Sequence, residues 1–214
     1  MWGATGRMPG RMTLLALLIV TGSASDARTP GGEPGQRGTT QAPADVTCPA
    51  ELGRGVTTGL LFCDVRTGLD PATGILVRVP RHRGTAVLTF DLHNRHTYSA
   101  QAVESGTAFA RYTGTIGVLT LDNTLIERAT VTGEFRTDAD LLDRIDGGAG
   151  QDGLKAIAPT GGETIFVDIP ADVTEVSILG EQLEIVRRDG RERYTAPGRP
   201  VAVVSDIMVE YRPR

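Results

Sequence analysis

Residues 75–98 read ILVRVPRHRGTAVLTFDLHNRHTY, two β-type runs joined by a short basic turn. Ile75-Leu76-Val77-Arg78-Val79 and Thr85-Ala86-Val87-Leu88-Thr89-Phe90-Asp91-Leu92 are rich in β-branched and apolar side chains. Within the second run Leu88, Phe90 and Leu92 alternate with Thr89, Asp91 and His93. Successive side chains on a strand point to opposite faces, so the first set faces a core and the second faces water. Pro80 and Gly84 bound the link between the runs. The expectation is a half-buried β-hairpin with Arg81, His82 and Arg83 at its tip. The stretch also holds all three histidines of the chain, His82, His93 and His96, so any chemistry that needs an imidazole belongs here.

Towards the C-terminus the same punctuation repeats. Phe109-Ala110-Arg111-Tyr112 and residues 116–121 lead to an Asp122-Asn123 turn, and residues 124–135 resume the β pattern. Residues 163–169, 173–179, 182–187, 191–195 and 200–211 read as further strands, with Asp189-Gly190 a two-residue hairpin signal. A short helix is expected where Thr137 and Asp140 resemble a capping box and Leu141, Leu142 and Ile145 lie on one side of two turns. Many short strands with one brief helix point to an all-β fold, an antiparallel β-sandwich of Greek-key or jelly-roll type. Two smaller β units are the alternative.

At the N-terminal end, residues 1–24 pair Arg7 and Arg11 with an apolar run from Met12 to Val20 and then small residues, the pattern of a secretory signal peptide. The run is shorter than the about 20 residues a bilayer span requires. Cleavage is expected after Ala24, with Ala27 the second choice. No cysteine follows either site directly, which argues against a lipid anchor. Residues 25–47 mix Pro, Gly, Thr and charge with almost no large apolar side chains, and read as a flexible, disordered linker before a domain at 48–214. Cys48 and Cys63 are the only cysteines, and an oxidising compartment favours their pairing into a disulfide. A secreted or periplasmic location follows, with no transmembrane segment in the mature chain.

Composition narrows the function. The net charge of -4 becomes -6 without Arg7 and Arg11, so no attraction to nucleic acid is expected. Lys155 is the only lysine among 22 basic residues, which reads as genome composition. Gly148-Ala149-Gly150-Gln151-Asp152-Gly153 fits the dinucleotide fingerprint, but a helix stands before it where a strand is required. Extended through Gly147 and Leu154, the same residues fit one copy of a calcium-binding nonapeptide whose site needs stacked copies. Asp138, Asp140, Asp143, Asp146 and Asp152 crowd this region, so a structural calcium is the one cofactor weighed, with Asp138, Asp140 and Asp143 as candidate ligands.

No catalytic set assembles from the residue types. His93 and His96 on one strand would project to opposite faces and cannot close on one ion. Asp91 and His93 share a face and could form a relay with a distant acid. The candidate serines of the mature chain, Ser99, Ser105, Ser177 and Ser205, lie outside any G-x-S-x-G turn. The expectation is a noncatalytic domain that binds a protein partner or anionic envelope component through Arg78, Arg81, His82, Arg83 and Arg95. An extracytoplasmic hydrolase using the Asp91/His93 face is the alternative. A carbohydrate-binding module ranks third; the only tryptophan is Trp2, leaving Tyr98, Tyr112, Tyr194 and Tyr211 as stacking platforms.

Overall fold

Side chains that alternate between core and water commit a chain to strands, and strands need partners for their backbone hydrogen bonds. The computed structural model describes residues 38–145 and 157–214. Its strands are β1 (Thr40–Pro43), β2 (Asp45–Thr47), β3 (Glu51–Arg54), β4 (Leu61–Arg66), β5 (Ile75–Arg78), β6 (Ala86–Thr97), β7 (Ala110–Thr120), β8 (Leu125–Phe135), β9 (Ile157–Ile169), β10 (Glu175–Arg187), β11 (Gly190–Tyr194) and β12 (Pro200–Tyr211), with a short helix α1 (Ala100–Glu104). They build two antiparallel sheets. The first runs β3-β4-β12-β6-β9 with β1 also on β12, and the second runs β2-β5-β10-β7-β8 with β11 also on β10.

The two central strands are organised alike. β12 gives one flank first to β4 and then to β1, while β10 gives one flank first to β5 and then to β11. Each hand-over coincides with a bulge, between Ser205 and Met208 in β12 and between Gly180 and Gln182 in β10. Between the sheets, Leu88, Phe90 and Leu92 of β6 join Ile116 and Val118 of β7, Ile178 of β10 and Val204 of β12 in one buried cluster. One sandwich, not two smaller units, accounts for the described residues. Burying each such side chain contributes about 1.5–3 kcal/mol. A smaller cluster of Leu52, Phe62, Ile145 and Val203 lies apart from it.

Three expectations change. The runs 75–79 and 85–92 do not form a hairpin, because β5 pairs with β2 and β10 whereas β6 pairs with β12 and β9. Pro80 to Gly84 therefore crosses between the sheets. Alternation says which face of a strand is buried and nothing about which strand lies beside it. The linker reading of 25–47 fails at its end, where β1 pairs Thr40–Pro43 with β12 and β2 pairs Asp45–Thr47 with β5. Ala42, Ala44, Val46 and Cys48 are half-buried while the residues between them are exposed. Main-chain pairing at a sheet edge asks for little apolar side chain, which is why composition alone missed it.

The expected helix at 137–145 is a single 3-10 turn, Asp138–Asp140. The Asp140 carboxylate does accept from the Thr137 and Arg136 backbone N–H groups, 2.9 and 2.8 Å away. Beyond the turn the chain is extended, with bridges from Leu141 to Thr160 and from Ile145 to Gly55. Ile145 is fully buried in the smaller cluster, so tertiary burial overrides the local helical pattern. The helix that does form, α1, starts at Ser99, whose side chain accepts from Ala102 N–H.

Other readings hold. Cys48 and Cys63 form a disulfide with Cα atoms 6.1 Å apart, joining the end of β2 in the second sheet to β4 in the first. The Asp122-Asn123 turn is present with Asn123 at φ 69°, and β10 and β11 form the expected hairpin, its turn one residue earlier at Arg188-Asp189. Among the described residues no helix is long and apolar enough to cross a membrane. Residues 1–37, with the expected signal peptide and most of the linker, and residues 146–156, with the glycine loop, Asp146 and Asp152, lie outside the described residues.

Candidate functional site

β6 spans roughly 40 Å at about 3.3 Å per residue, and the candidate groups are spread along it. At its Ala86 end Arg81 and Arg83 are exposed, but His82 is buried, with Nδ1 2.8 Å from the Pro80 carbonyl. This crossing is fastened to the residues after β12. Arg83 N–H donates to the Arg212 carbonyl at 2.8 Å, and Arg214 Nε donates to the His82 carbonyl at 2.7 Å. Pairing thus brings Arg212 and Arg214 beside Arg81 and Arg83. Sequence gave no sign of that convergence, since only the strand order places position 212 next to position 83. Among the described residues none of these four arginines makes an ion pair.

The other expected members fall away. Arg78 is held by Asp45 at 3.1 Å and Glu175 at 3.6 Å. Arg95 lies at the far end of β6, half-buried against Asp64 at 2.9 Å. His82 presents no imidazole to solvent.

Midway along β6, a bulge between Leu92 and Asn94 lets His93, Asn94 and Leu92 all be buried. Asp91 and His93 share no hydrogen bond: the Asp91 carboxylate accepts from Thr164 Oγ1 at 2.7 Å. His93 instead sits 2.9 Å through Nε2 from Ser205 Oγ and 3.1 Å through Nδ1 from the Gly161 carbonyl. A carbonyl cannot donate, so Nδ1 carries the proton and Nε2 accepts from the serine. Burial lowers the His93 pKa, outweighing the opposing pull of the Gly161 carbonyl and of Asp91. The pair has the polarity of a nucleophile and its base. Yet Ser205 is 1% and His93 3% exposed, with the Phe62 ring edge-on at 5.8 Å. None of the cavities whose walls are described is lined by Asp91, His93 or Ser205.

At the Thr97 end of β6 a cavity of about 260 Å³ opens between the sheets. Its floor is Ala110, Tyr112, Phe135, Leu183 and Ile185, all buried. His96 stacks on Phe135 at 3.7 Å between ring centroids and holds Tyr112 Oη at 2.7 Å through Nδ1. Burial, with Arg187 adding to it, pushes the His96 pKa down to about 4, so the ring is neutral at pH 7. Arg95, Arg187 and Arg199 line the same cavity. Nothing in the local sequence marked Arg187 or Arg199, which are far from β6 in the chain.

The candidate calcium ligands turn to separate partners. Asp138 meets Arg144 at 2.8 Å, Asp140 takes the backbone N–H groups described above, and Asp143 accepts from Thr57 N–H, Thr58 N–H and Thr58 Oγ1. Among the described residues no three acidic, histidine or cysteine side chains are grouped to hold a metal. The tyrosines form no exposed row: Tyr112 is buried, Tyr98 and Tyr194 lie under Arg144 and Arg199, and Tyr211 packs against the core.

No protein-family model matches the chain, and no curated protein matches it. Among solved structures the chain is similar to the infectious bursal disease virus VP2 subviral particle, at 11% identity and a TM-score of 0.28. That alignment covers 90% of this chain and 37% of the viral one, and a likeness so loose carries no argument about function.

Proposed function

We propose that this chain is an exported, noncatalytic β-sandwich domain that binds an acidic protein partner through Arg81, Arg83, Arg212 and Arg214. The observation that carries the reading is the convergence of these four exposed arginines, without ion pairs among the described residues, at one end of β6 and β12. Guanidinium forks match carboxylates in two-point hydrogen bonds, and forks without an ion pair give up no internal carboxylate on binding. The signal-like pattern of residues 1–24 and the Cys48–Cys63 disulfide support export to an oxidising compartment. Crosslinking in the native envelope, followed by mass spectrometry, tests the reading. The Arg81→Ser/Arg83→Ser/Arg212→Ser variant is expected to lose the neighbours that the parent captures. Unchanged capture, or a captured glycan with no protein, would sink it.

A second reading rests on the Ser205–His93 hydrogen bond, which supports an extracytoplasmic hydrolase with Ser205 as nucleophile and His93 as base. It replaces the Asp91–His93 relay. The measurement is labelling of Ser205 by a fluorophosphonate, abolished in His93→Ala. An unlabelled Ser205 in the folded protein leaves the pair as a structural hydrogen bond of the sheet.

A further inference from the structure

The cavity at the Thr97 end of the sandwich has a charge pattern that its neighbours do not neutralise from within. Arg95, Arg187 and Arg199 line it together with the hydroxyls of Thr97, Ser99 and Thr107, and among the described residues no carboxylate lines it. The acids that hold two of the arginines stand behind them. Asp64 takes Arg95 Nε at 2.9 Å, and Glu192 takes Arg187 Nη1 at 2.5 Å and Tyr194 Oη at 2.6 Å. Arg199 has its guanidinium 4.2 Å from the Tyr194 ring centroid and makes no ion pair among the described residues. Each arginine has five donor hydrogens, so the guanidinium groups keep donors for a ligand after these contacts.

Below the cationic rim the apolar part of the wall is formed by Phe109, Tyr112, Leu183 and Ile185. Such a cavity would be poorly filled by a hydrated inorganic anion, which leaves the floor unpaired, and by a hydrocarbon, which leaves the arginines unused. Its volume of about 260 Å³ lies just under the roughly 300 Å³ where pockets for drug-sized ligands begin. We propose that this cavity binds a small aromatic carboxylate, its ring against Phe109 and Ile185 and its carboxylate among Arg95, Arg187 and Arg199. The site is separate from the Arg81 end, almost the full length of β6 away.

The test is a titration of the full chain, followed by backbone amide NMR, with 3-phenylpropionate, with its neutral analogue 3-phenylpropionamide, and with sulfate. The carboxylate is expected to bind saturably and to move the signals of Thr107, Ala108 and Ile185. The amide should bind at least tenfold more weakly, and sulfate should not compete. Arg199→Ser is expected to weaken the carboxylate by about ten- to hundredfold, the usual loss for a hydrogen bond to a charged group. Thr107→Trp, a change at an exposed lining position, is expected to abolish binding by filling the mouth. Arg81→Ser should leave it unchanged, which separates this site from the partner-binding surface. Equal affinity for carboxylate and amide, no saturable binding of either, competition by sulfate at equal concentration, or an Arg199→Ser variant that folds and binds like the parent would each overturn the proposal. If a variant fails to fold, the three probes on the parent protein decide.

Discussion

At the scale of single residues, the buried polar groups of β6 carry the sharpest consequences. His96 takes up its proton near pH 6.5 when unfolded but only at about 4 when folded, because burial, aided by Arg187, penalises the imidazolium. Between those values the unfolded chain binds more protons, so stability is complete above pH 6.5 and falls as the pH drops towards 4. The loss is about 2 kcal/mol by pH 5 and about 3 by pH 4. His93, lowered by burial as well, acts in the same direction. Urea midpoints measured at pH 7 and pH 5 should therefore separate in the parent protein, and His96→Phe should narrow the gap. An equal gap in both proteins would assign the pH dependence elsewhere. Asn94 gives a second case. Its side-chain NH₂ donates across the sandwich to the Val131 carbonyl at 3.1 Å, and a Cβ at Gly133 would stand 2.8 Å from its Oδ1. Gly133→Ala is expected to cost about 1–3 kcal/mol by overpacking, read as a lower melting temperature.

At the scale of elements, two connections hold the edges of the sheets. The disulfide ties β2 to β4, and in the chain-entropy model a loop of 15 residues stabilises by about 3 kcal/mol. Cys48→Ser/Cys63→Ser should lose an amount of that order in urea, whereas two free thiols found on alkylating the parent protein would remove the basis for any loss. The second connection is Asp143. Its buried carboxylate fastens the 55–58 turn through Thr57 and Thr58, holding residues 141–145 in place as Ile145 enters the smaller cluster. Asp143→Ala leaves those donors unsatisfied and is expected to cost about 1–3 kcal/mol, with early hydrogen exchange at Gly55 and Val56. Their N–H groups bond to Leu60 and Arg144 carbonyls. The capping-box residues read as a helix start do make a turn, yet Leu141 and Ile145 find better burial in an extended segment.

At the scale of the whole molecule, the strand order decides which groups meet. β6 and β12 run side by side, so arginines at 81, 83, 212 and 214 gather at one end while 95, 187 and 199 gather at the other. Residue order alone was enough for the all-β class, the positions of most strands, the disulfide and the burial of Leu88, Phe90 and Leu92, but not for the burial of His93, which alternation places towards water. Each of those depends on residue type and short-range periodicity, which act within a few neighbours along the chain. Tertiary structure alone decided that β5 and β6 lie in different sheets, that Ser205 faces His93, that Arg95 leaves the basic tip, and that a cationic cavity forms near His96. Backbone hydrogen bonding between strands is chemically the same for almost any pair, so partner choice follows from how the whole set of apolar faces can be buried at once. No local stretch of sequence records that outcome.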